Sequence, residues 1–124
     1  MPYVLLVDDD ERFRASIALF LTKKGYEVLE CGDGTEACRA LHHSGEKFDF
    51  VITDTNMPRG TGIDVLQEIF WYEFKIPCLL HSAENWFRGK DLAEVVKDFP
   101  QTVFRNKGDR VLAYIQEFLD QSAP

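Results

Sequence analysis

Four acidic side chains in succession, Asp8, Asp9, Asp10 and Glu11, follow directly on the apolar run Val4-Leu5-Leu6-Val7. A second apolar run leads through Thr53 to Asp54, a third ends at Ser82, and a fourth is followed by Lys107. Short apolar runs bounded by polar residues read as strands buried on both faces. If those strands are parallel neighbours, three carboxylates (Asp8, Asp9, Asp54), one hydroxyl (Ser82) and one amine (Lys107) meet at one edge of a sheet. Two carboxylates about 4 Å apart repel by roughly 4 kcal/mol at an effective dielectric near 20. Three such pairs cost on the order of 12 kcal/mol unless a group stays protonated. A hard divalent cation removes the repulsion, and carboxylates with a backbone carbonyl and waters suit magnesium. The ion and Lys107 then balance the three carboxylates, and the neutral pocket can take up an anion such as a phosphoryl group. Asp10 and Glu11 read instead as acids favoured by a helix N-terminus. By strand alternation His81 is expected to point away from this edge. His42 and His43, adjacent on a helix, are expected to be solvated.

The elements that must position these groups follow from periodicity. Strands are expected over 3–7, 27–30, 50–53, 77–81 and 102–104. Phe13, Ile17, Phe20 and Leu21 recur at the spacing of one helical face, and Lys23-Lys24-Gly25 supplies a basic last turn and a stop. A second helix opens at Asp33, with Glu36 as its capping-box partner, and buries Ala37, Ala40 and Leu41. A third opens at Thr61 with Asp64 and buries Ile63, Leu66, Ile69 and Phe70. A looser fourth carries Leu92, Val95 and Val96. The last opens near Asp109 and carries Leu112, Ile115, Phe118 and Leu119. Five strands alternating with five helices predict an α/β fold, a doubly wound five-stranded parallel sheet with helices on both faces. Ligands then bind beyond the carboxyl ends of the strands.

Composition narrows the function classes. A chain of 124 residues suits one domain with a real core. No apolar run approaches the roughly 18 residues of a membrane span, and no basic segment precedes the first apolar run as in a signal peptide. Cys31, Cys38 and Cys78 are odd in number and lack C-x-x-C spacing, which argues for core thiols in a cytoplasmic protein over a disulfide frame or zinc site. A net charge of −7 disfavours direct nucleic-acid binding and suits a protein that gathers cations or meets basic partners.

The Asp8-Asp9 pair, Asp54 in Asp-Thr-Asn-Met-Pro with Gly62 four residues beyond Pro58, Ser82-Ala83 and Lys107 occur in order, each after its own strand. With these marks the chain resembles a response-regulator receiver domain of two-component signalling over essentially its whole length. The resemblance implies the flavodoxin-like strand order 2-1-3-4-5. It implies Asp54 as phosphoacceptor, charged by a sensor histidine kinase, a phosphotransfer protein or a small phosphodonor. Asp8, Asp9, Asp54 and the backbone carbonyl of Asn56 would be magnesium ligands, and Lys107 and Ser82 would contact phosphoryl oxygens. It implies a bacterial, cytoplasmic switch that catalyses only its own phosphorylation and dephosphorylation, with Asn56 and Glu84 matching fast-cycling chemotaxis-type members.

Residues 1–121 are expected to form the receiver domain and 122–124 a tail or the start of a truncated linker. The start at Met1 suggests that no domain precedes it. Two departures stand out: Gly108 follows Lys107 where the family carries Pro, and the segment between Ser82 and Lys107 is long and holds Trp86 and Phe87, expected as an exposed aromatic pair. The face from Ala83 to Ile115 is therefore expected to bind a downstream protein partner or a second copy of the chain, with no direct contact to nucleic acid or membrane. Two other readings compete. One is a haloacid-dehalogenase-like phosphatase with Asp8 as nucleophile in Asp8-Asp9-Asp10; the other is a degenerate receiver acting as an unphosphorylated interaction module.

Overall fold

The computed structural model describes residues 1–122. Its frame is a five-stranded parallel sheet of β1 (Tyr3–Val7), β2 (Glu27–Cys31), β3 (Phe50–Asp54), β4 (Cys78–Ser82) and β7 (Thr102–Asn106). The strands lie in the order β2-β1-β3-β4-β7, which is the expected 2-1-3-4-5 among the long strands. The central strands read as continuous apolar runs because both faces are covered. Leu5 and Val7 point into one core cluster with Val51 and Leu80, while Val4 and Leu6 point into another with Ile52 and Leu79.

The first cluster is closed by α2 (Gly34–Ser44), α3 (Gly62–Trp71) and α4 (Leu92–Val95), through Ala37, Leu41, Ile63, Leu66, Ile69 and Leu92. The second is closed by α1 (Glu11–Lys23) and α5 (Val111–Ser122), through Ile17, Leu21, Tyr114, Ile115, Phe118 and Leu119. Ser122 ends α5, and residues 123–124 of the expected tail lie outside the described residues. Among the described residues no helix is long and apolar enough to cross a membrane.

The helix starts obey local rules. Asp10 caps α1 by accepting from Phe13 N–H at 3.1 Å. Thr61 and Asp64 form a reciprocal capping box on α3. At α2 the box is only half made: Asp33 accepts from Glu36 N–H, but the Glu36 carboxylate reaches past the cap to Gly32 N–H.

Four expectations need correction. Phe70 is 56% exposed, because the position after Ile69 turns about 100° round the helix to the rim, where its ring meets Phe99 edge-on. Leu112 is 46% exposed, since the inward stripe of α5 is Val111, Tyr114, Ile115, Phe118 and Leu119. The fourth helix is one turn followed by a 3-10 turn, Val96–Asp98. Ahead of it stands an unforeseen hairpin of β5 (Trp86–Phe87) and β6 (Lys90–Asp91). Its turn residues Arg88 and Gly89 both have positive φ, 51° and 79°, the conformation of a two-residue hairpin turn matched to strand twist. Trp86 is 57% exposed, but Phe87 is buried in the core, so the two are not an exposed pair.

Candidate functional site

Asp8 lies just past β1 and Asp54 ends β3, and the two strands are neighbours paired in register from Val4 with Phe50 to Val7 with Thr53. The sheet thereby brings Asp8, Asp9 and Asp54 together, with a carboxylate oxygen from each within 4.8 Å of the others. Asp8 is wholly buried and Asp54 nearly so, while Asp9 is exposed. Lys107, one residue beyond β7, spans the pair, its Nζ 2.9 Å from Asp8 Oδ2 and 3.3 Å from Asp54 Oδ1. The ammonium also sits 4.4 Å over the Phe13 ring, a cation–π contact. Its backbone N–H donates to Ser82 C=O at 2.7 Å, tying the Lys107 turn to the end of β4. The buried Ser82 hydroxyl accepts from Glu84 N–H at 3.1 Å. Asn56 and Glu84 are exposed in the loops that follow β3 and β4.

Further contacts shape the pocket. Asp8 Oδ1 accepts from Asp10 N–H, and the Asp8 carbonyl accepts from the Arg14 guanidinium at 2.7 Å. Asp54 Oδ1 accepts from Thr55 N–H at 2.8 Å, and the Thr55 hydroxyl donates to the His81 carbonyl. Gly62 begins α3 against Asp54: a Cβ there would lie 2.1 Å from the Asp54 carbonyl oxygen. Gly34 and Gly60 meet so closely that a Cβ on Gly34 would lie 2.4 Å from the Gly60 carbonyl, which holds the 55–61 loop on the start of α2. The Lys107–Gly108 peptide is trans.

Burial, then the Asp8 charge, push the Asp54 carboxyl up to about 6, against the opposing pull of Lys107 and Thr55 N–H. Lys107 therefore does not offset burial and the Asp8 charge together. Three carboxylate donors converging on a pocket short of positive charge fit a hard oxygen-seeking divalent ion such as magnesium.

His81 contradicts the alternation argument in part. Its ring lies on the α1/α5 face, with Nδ1 2.6 Å from the Tyr114 hydroxyl, yet Nε2 comes within 3.9 Å of Asp8 Oδ2. Alternation gives the face on which a side chain leaves the strand, but an imidazole is long enough to turn under the strand end. Sequence reasoning missed His81, Phe13, Arg14 and Tyr114 as neighbours of the pocket. For Phe13 and Arg14 the signal was their place in the first turn of the helix that starts at the acids. His42 and His43 are exposed as expected, His42 Nδ1 lying 2.9 Å from the Tyr72 hydroxyl.

The geometry stands beside three comparisons. Residues 4–97 match the model of the response regulator receiver domain. Two-component response regulator ARR11 of Arabidopsis thaliana is 36% identical over 66% of this chain and 16% of its own length. Transcriptional regulatory protein GlrR of Escherichia coli K12 is 31% identical over 98% of this chain. The chain spans only 27% of GlrR, so it corresponds to a part of these relatives. Among solved structures, response regulator protein TrrA of Thermotoga maritima, in complex with Mg2+ and BeF, superposes with a TM-score of 0.74 at 24% identity, covering 96% of this chain and all of that one. A match to the family model over most of the chain, on a sheet of this order, leads to one assignment: the chain belongs to the response regulator receiver domain family.

Proposed function

We propose that this chain is a phosphorylation-dependent signalling switch that accepts a phosphoryl group on Asp54 from a sensor histidine kinase or phosphotransfer protein. The observation that carries the reading is the meeting of the Asp8, Asp9 and Asp54 carboxylates within 4.8 Å, with Lys107 bridging Asp8 and Asp54. Asp54 Oδ1 is held by Thr55 and Lys107, while among the described residues Oδ2 has no hydrogen bond, so the two oxygens divide the roles of metal ligand and nucleophile. An Asp54 oxygen attacks phosphorus, the P–N bond of the phosphohistidine breaks, and the electron pair leaves with the imidazole. The product is an acyl phosphate. Lys107 and the Ser82 hydroxyl receive its oxygens, placing donors where charge collects. Water later attacks phosphorus, the P–O bond to Asp54 breaks, and the carboxylate returns with release of phosphate. Asp8, Asp9, Asp54 and the Asn56 carbonyl would hold magnesium, which when bound cancels carboxylate repulsion and charge on the transferring group.

Exposed Asn56 and Glu84 flank the reaction and leave room for the hydrolytic water, which favours fast turnover. The 83–115 face, with Trp86 at its hairpin, carries the signal to a downstream protein or a second copy. The net charge of −7 favours basic partners over nucleic acid, and the free thiols of Cys31, Cys38 and Cys78 suit a cytoplasmic setting. Residues 1–121 act as the receiver unit.

The test is incubation with acetyl phosphate and magnesium, followed by borohydride trapping and peptide mass. The label is expected on Asp54 and absent from Asp54→Asn. Magnesium is expected to raise the Tm of the wild type through linkage but not that of Asp9→Ala. A label on Asp8 would favour the phosphatase reading, and no label on any aspartate the degenerate one.

A further inference from the structure

Beneath the acidic pocket lies a buried ring that the reaction above does not use. His81 is wholly buried, and its Nε2 has no hydrogen-bond partner among the described residues. That nitrogen is 3.9 Å from Asp8 Oδ2, while Nδ1 is 2.6 Å from the Tyr114 hydroxyl on α5. An unpaired buried polar atom is costly, and its surroundings select the tautomer. If Nδ1–H donated to Tyr114, the Nε2 lone pair would face a carboxylate. The tyrosine hydroxyl therefore donates to Nδ1, and Nε2–H faces Asp8. Burial keeps the ring neutral. Asp8 Oδ2 meanwhile has Lys107 Nζ at 2.9 Å, the same ammonium that contacts Asp54 at 3.3 Å.

We propose that His81 is a positioning residue for Asp8, its Nε2–H taking over Oδ2 when Lys107 turns toward an anion on Asp54, with Tyr114 holding the ring for that exchange. The inference rests on the receiver reading of Asp54. A phosphoryl oxygen on Asp54 competes with Asp8 Oδ2 for the Lys107 ammonium, and a Lys107 drawn toward it loosens the 2.9 Å contact with Asp8. Without a second donor, the buried Asp8 Oδ2 would then be left with only that weakened hydrogen bond. Bringing Nε2 to an ordinary N–H···O separation requires a movement of about 1 Å. The same exchange places the hydroxyl of Tyr114, and so α5, two hydrogen bonds from the pocket.

The experiment is imidazole 15N–1H spectroscopy on the full chain, with His81 signals assigned by their loss in His81→Phe, alongside magnesium titration and acetyl phosphate kinetics. The expected result is an Nε2–H tautomer in the free protein and a downfield move of that proton on adding magnesium and beryllofluoride. His81→Phe is expected to weaken magnesium binding and slow phosphorylation roughly tenfold, the scale of a lost outer-shell partner. His81→Gln, whose amide can place an N–H near the position of Nε2, is expected to recover most of that loss, and Tyr114→Phe to fall between. An Nδ1–H tautomer, an Nε2–H signal unmoved by beryllofluoride, or a His81→Phe variant that loses thermal stability but keeps magnesium affinity and rate each overturn the inference. If the wild type takes up neither phosphoryl group nor beryllofluoride, the receiver reading has failed and takes the inference with it. Labelling of Asp54 with a silent His81 overturns the inference alone.

Discussion

The pocket at the strand ends and the stretch 84–101 are held in opposite ways. The pocket draws its groups from four different strands: Asp8 and Asp9 follow β1, Asp54 ends β3, Ser82 ends β4 and Lys107 follows β7. The hairpin and the short α4 are held mostly by near neighbours. Arg88 lies over the Phe87 ring at 4.8 Å, Asp91 caps Ala93 N–H, and Lys97 pairs with Glu94. The hairpin is tied to the rest by Phe87 in the core and by Asn85 against Asn106, and the turns after it by Leu92, Val95, Val96 and Phe99 on the core and by the Gln101 carbonyl, which accepts from Cys78 N–H. A site built from four strands cannot change one residue without strain in the others, whereas a locally built segment can be exchanged as a unit. That contrast suits a chemical site joined to a surface that differs between partners.

The largest effect should come from adding one methyl group on each side of the comparison. In Gly62→Ala the new Cβ would lie 2.1 Å from the Asp54 carbonyl oxygen, so α3 must move away from the pocket at a cost of about 3 kcal/mol or more. Gly89→Ala, at φ +79° with nothing within 4 Å, should cost only about 1 kcal/mol of left-handed backbone strain. Urea midpoints measure both. Equal losses would mean that the hairpin is as tightly built as the pocket.

The two aromatics of β5 sharpen the boundary between segment and core. Phe87→Ala removes a buried ring and should cost about 3 kcal/mol. Trp86→Ala, at a side chain 57% exposed, should change stability by less than about 0.5 kcal/mol. A large loss at Trp86 would show it packed in solution against something the chain itself supplies.

A pH series separates Asp54 from His81. The Asp54 carboxyl is raised to about 6 in the folded chain, against about 3.9 unfolded. Its contribution favours the fold below about pH 4 and is lost as pH rises through about 6. His81 is lowered to about 3 by burial and then by the Lys107 charge, so its contribution is present above about 6.5, the unfolded value, and is lost as pH falls. Between about pH 4 and 6 the two slopes oppose each other and the wild type, free of divalent ions, should change little on their account. Asp54→Asn leaves the His81 slope alone. It should be more stable than the wild type by roughly 2 to 3 kcal/mol at pH 7.5, with the gain shrinking to about 1 kcal/mol at pH 4.5 and nearly gone by about pH 3. A gain independent of pH would remove Asp54 from the account.

Legibility followed the same division. The strands, the acids at their ends, and the placement of Ser82 and Lys107 could be read from apolar runs, because a parallel sheet buried on both faces leaves a strong one-dimensional pattern, whereas the strand order followed from the family resemblance. Gly62 was readable as a spacing, but its reason, the approach of α3 to the Asp54 carbonyl, is visible only in three dimensions. The hairpin was not readable. Its turn uses Arg88 at φ 51°, where the usual signal would be Asn or Gly, and two-residue strands carry no period. Phe70 and Leu112 were placed in the core because each sits one position from a true inward stripe, and periodicity tolerates that error. His81 was placed by its face alone, without the length of the ring or the Tyr114 hydroxyl that anchors it.

A small expected change in stability tests whether the two regions communicate. Asn106 Nδ2 donates to Asn85 Oδ1 at 2.7 Å, and Asn106 immediately precedes Lys107, so this one side-chain bond links the base of the hairpin to the turn that carries the ammonium. Asn106 Oδ1 also accepts from Gly108 N–H at 2.6 Å, which fixes the amide for its role. Because the bond is exposed, Asn85→Ala should lower stability by about 0.5 kcal/mol, within the ordinary range for a solvent-accessible hydrogen bond. Its effect on coupling should be larger than its effect on stability. In the wild type, beryllofluoride with magnesium should alter amide exchange across 83–106 as Lys107 and Ser82 draw inward. In Asn85→Ala the change should persist around Asp8, Asp54 and Lys107 but shrink at Phe87 and Lys90. If those hairpin amides respond undiminished, the displacement travels along the chain through Ala83 and Glu84, and the Asn85–Asn106 bond is only a surface contact. If they fail to respond even in the wild type, the segment is exchangeable because it is silent, and the outward signal leaves the domain by another face.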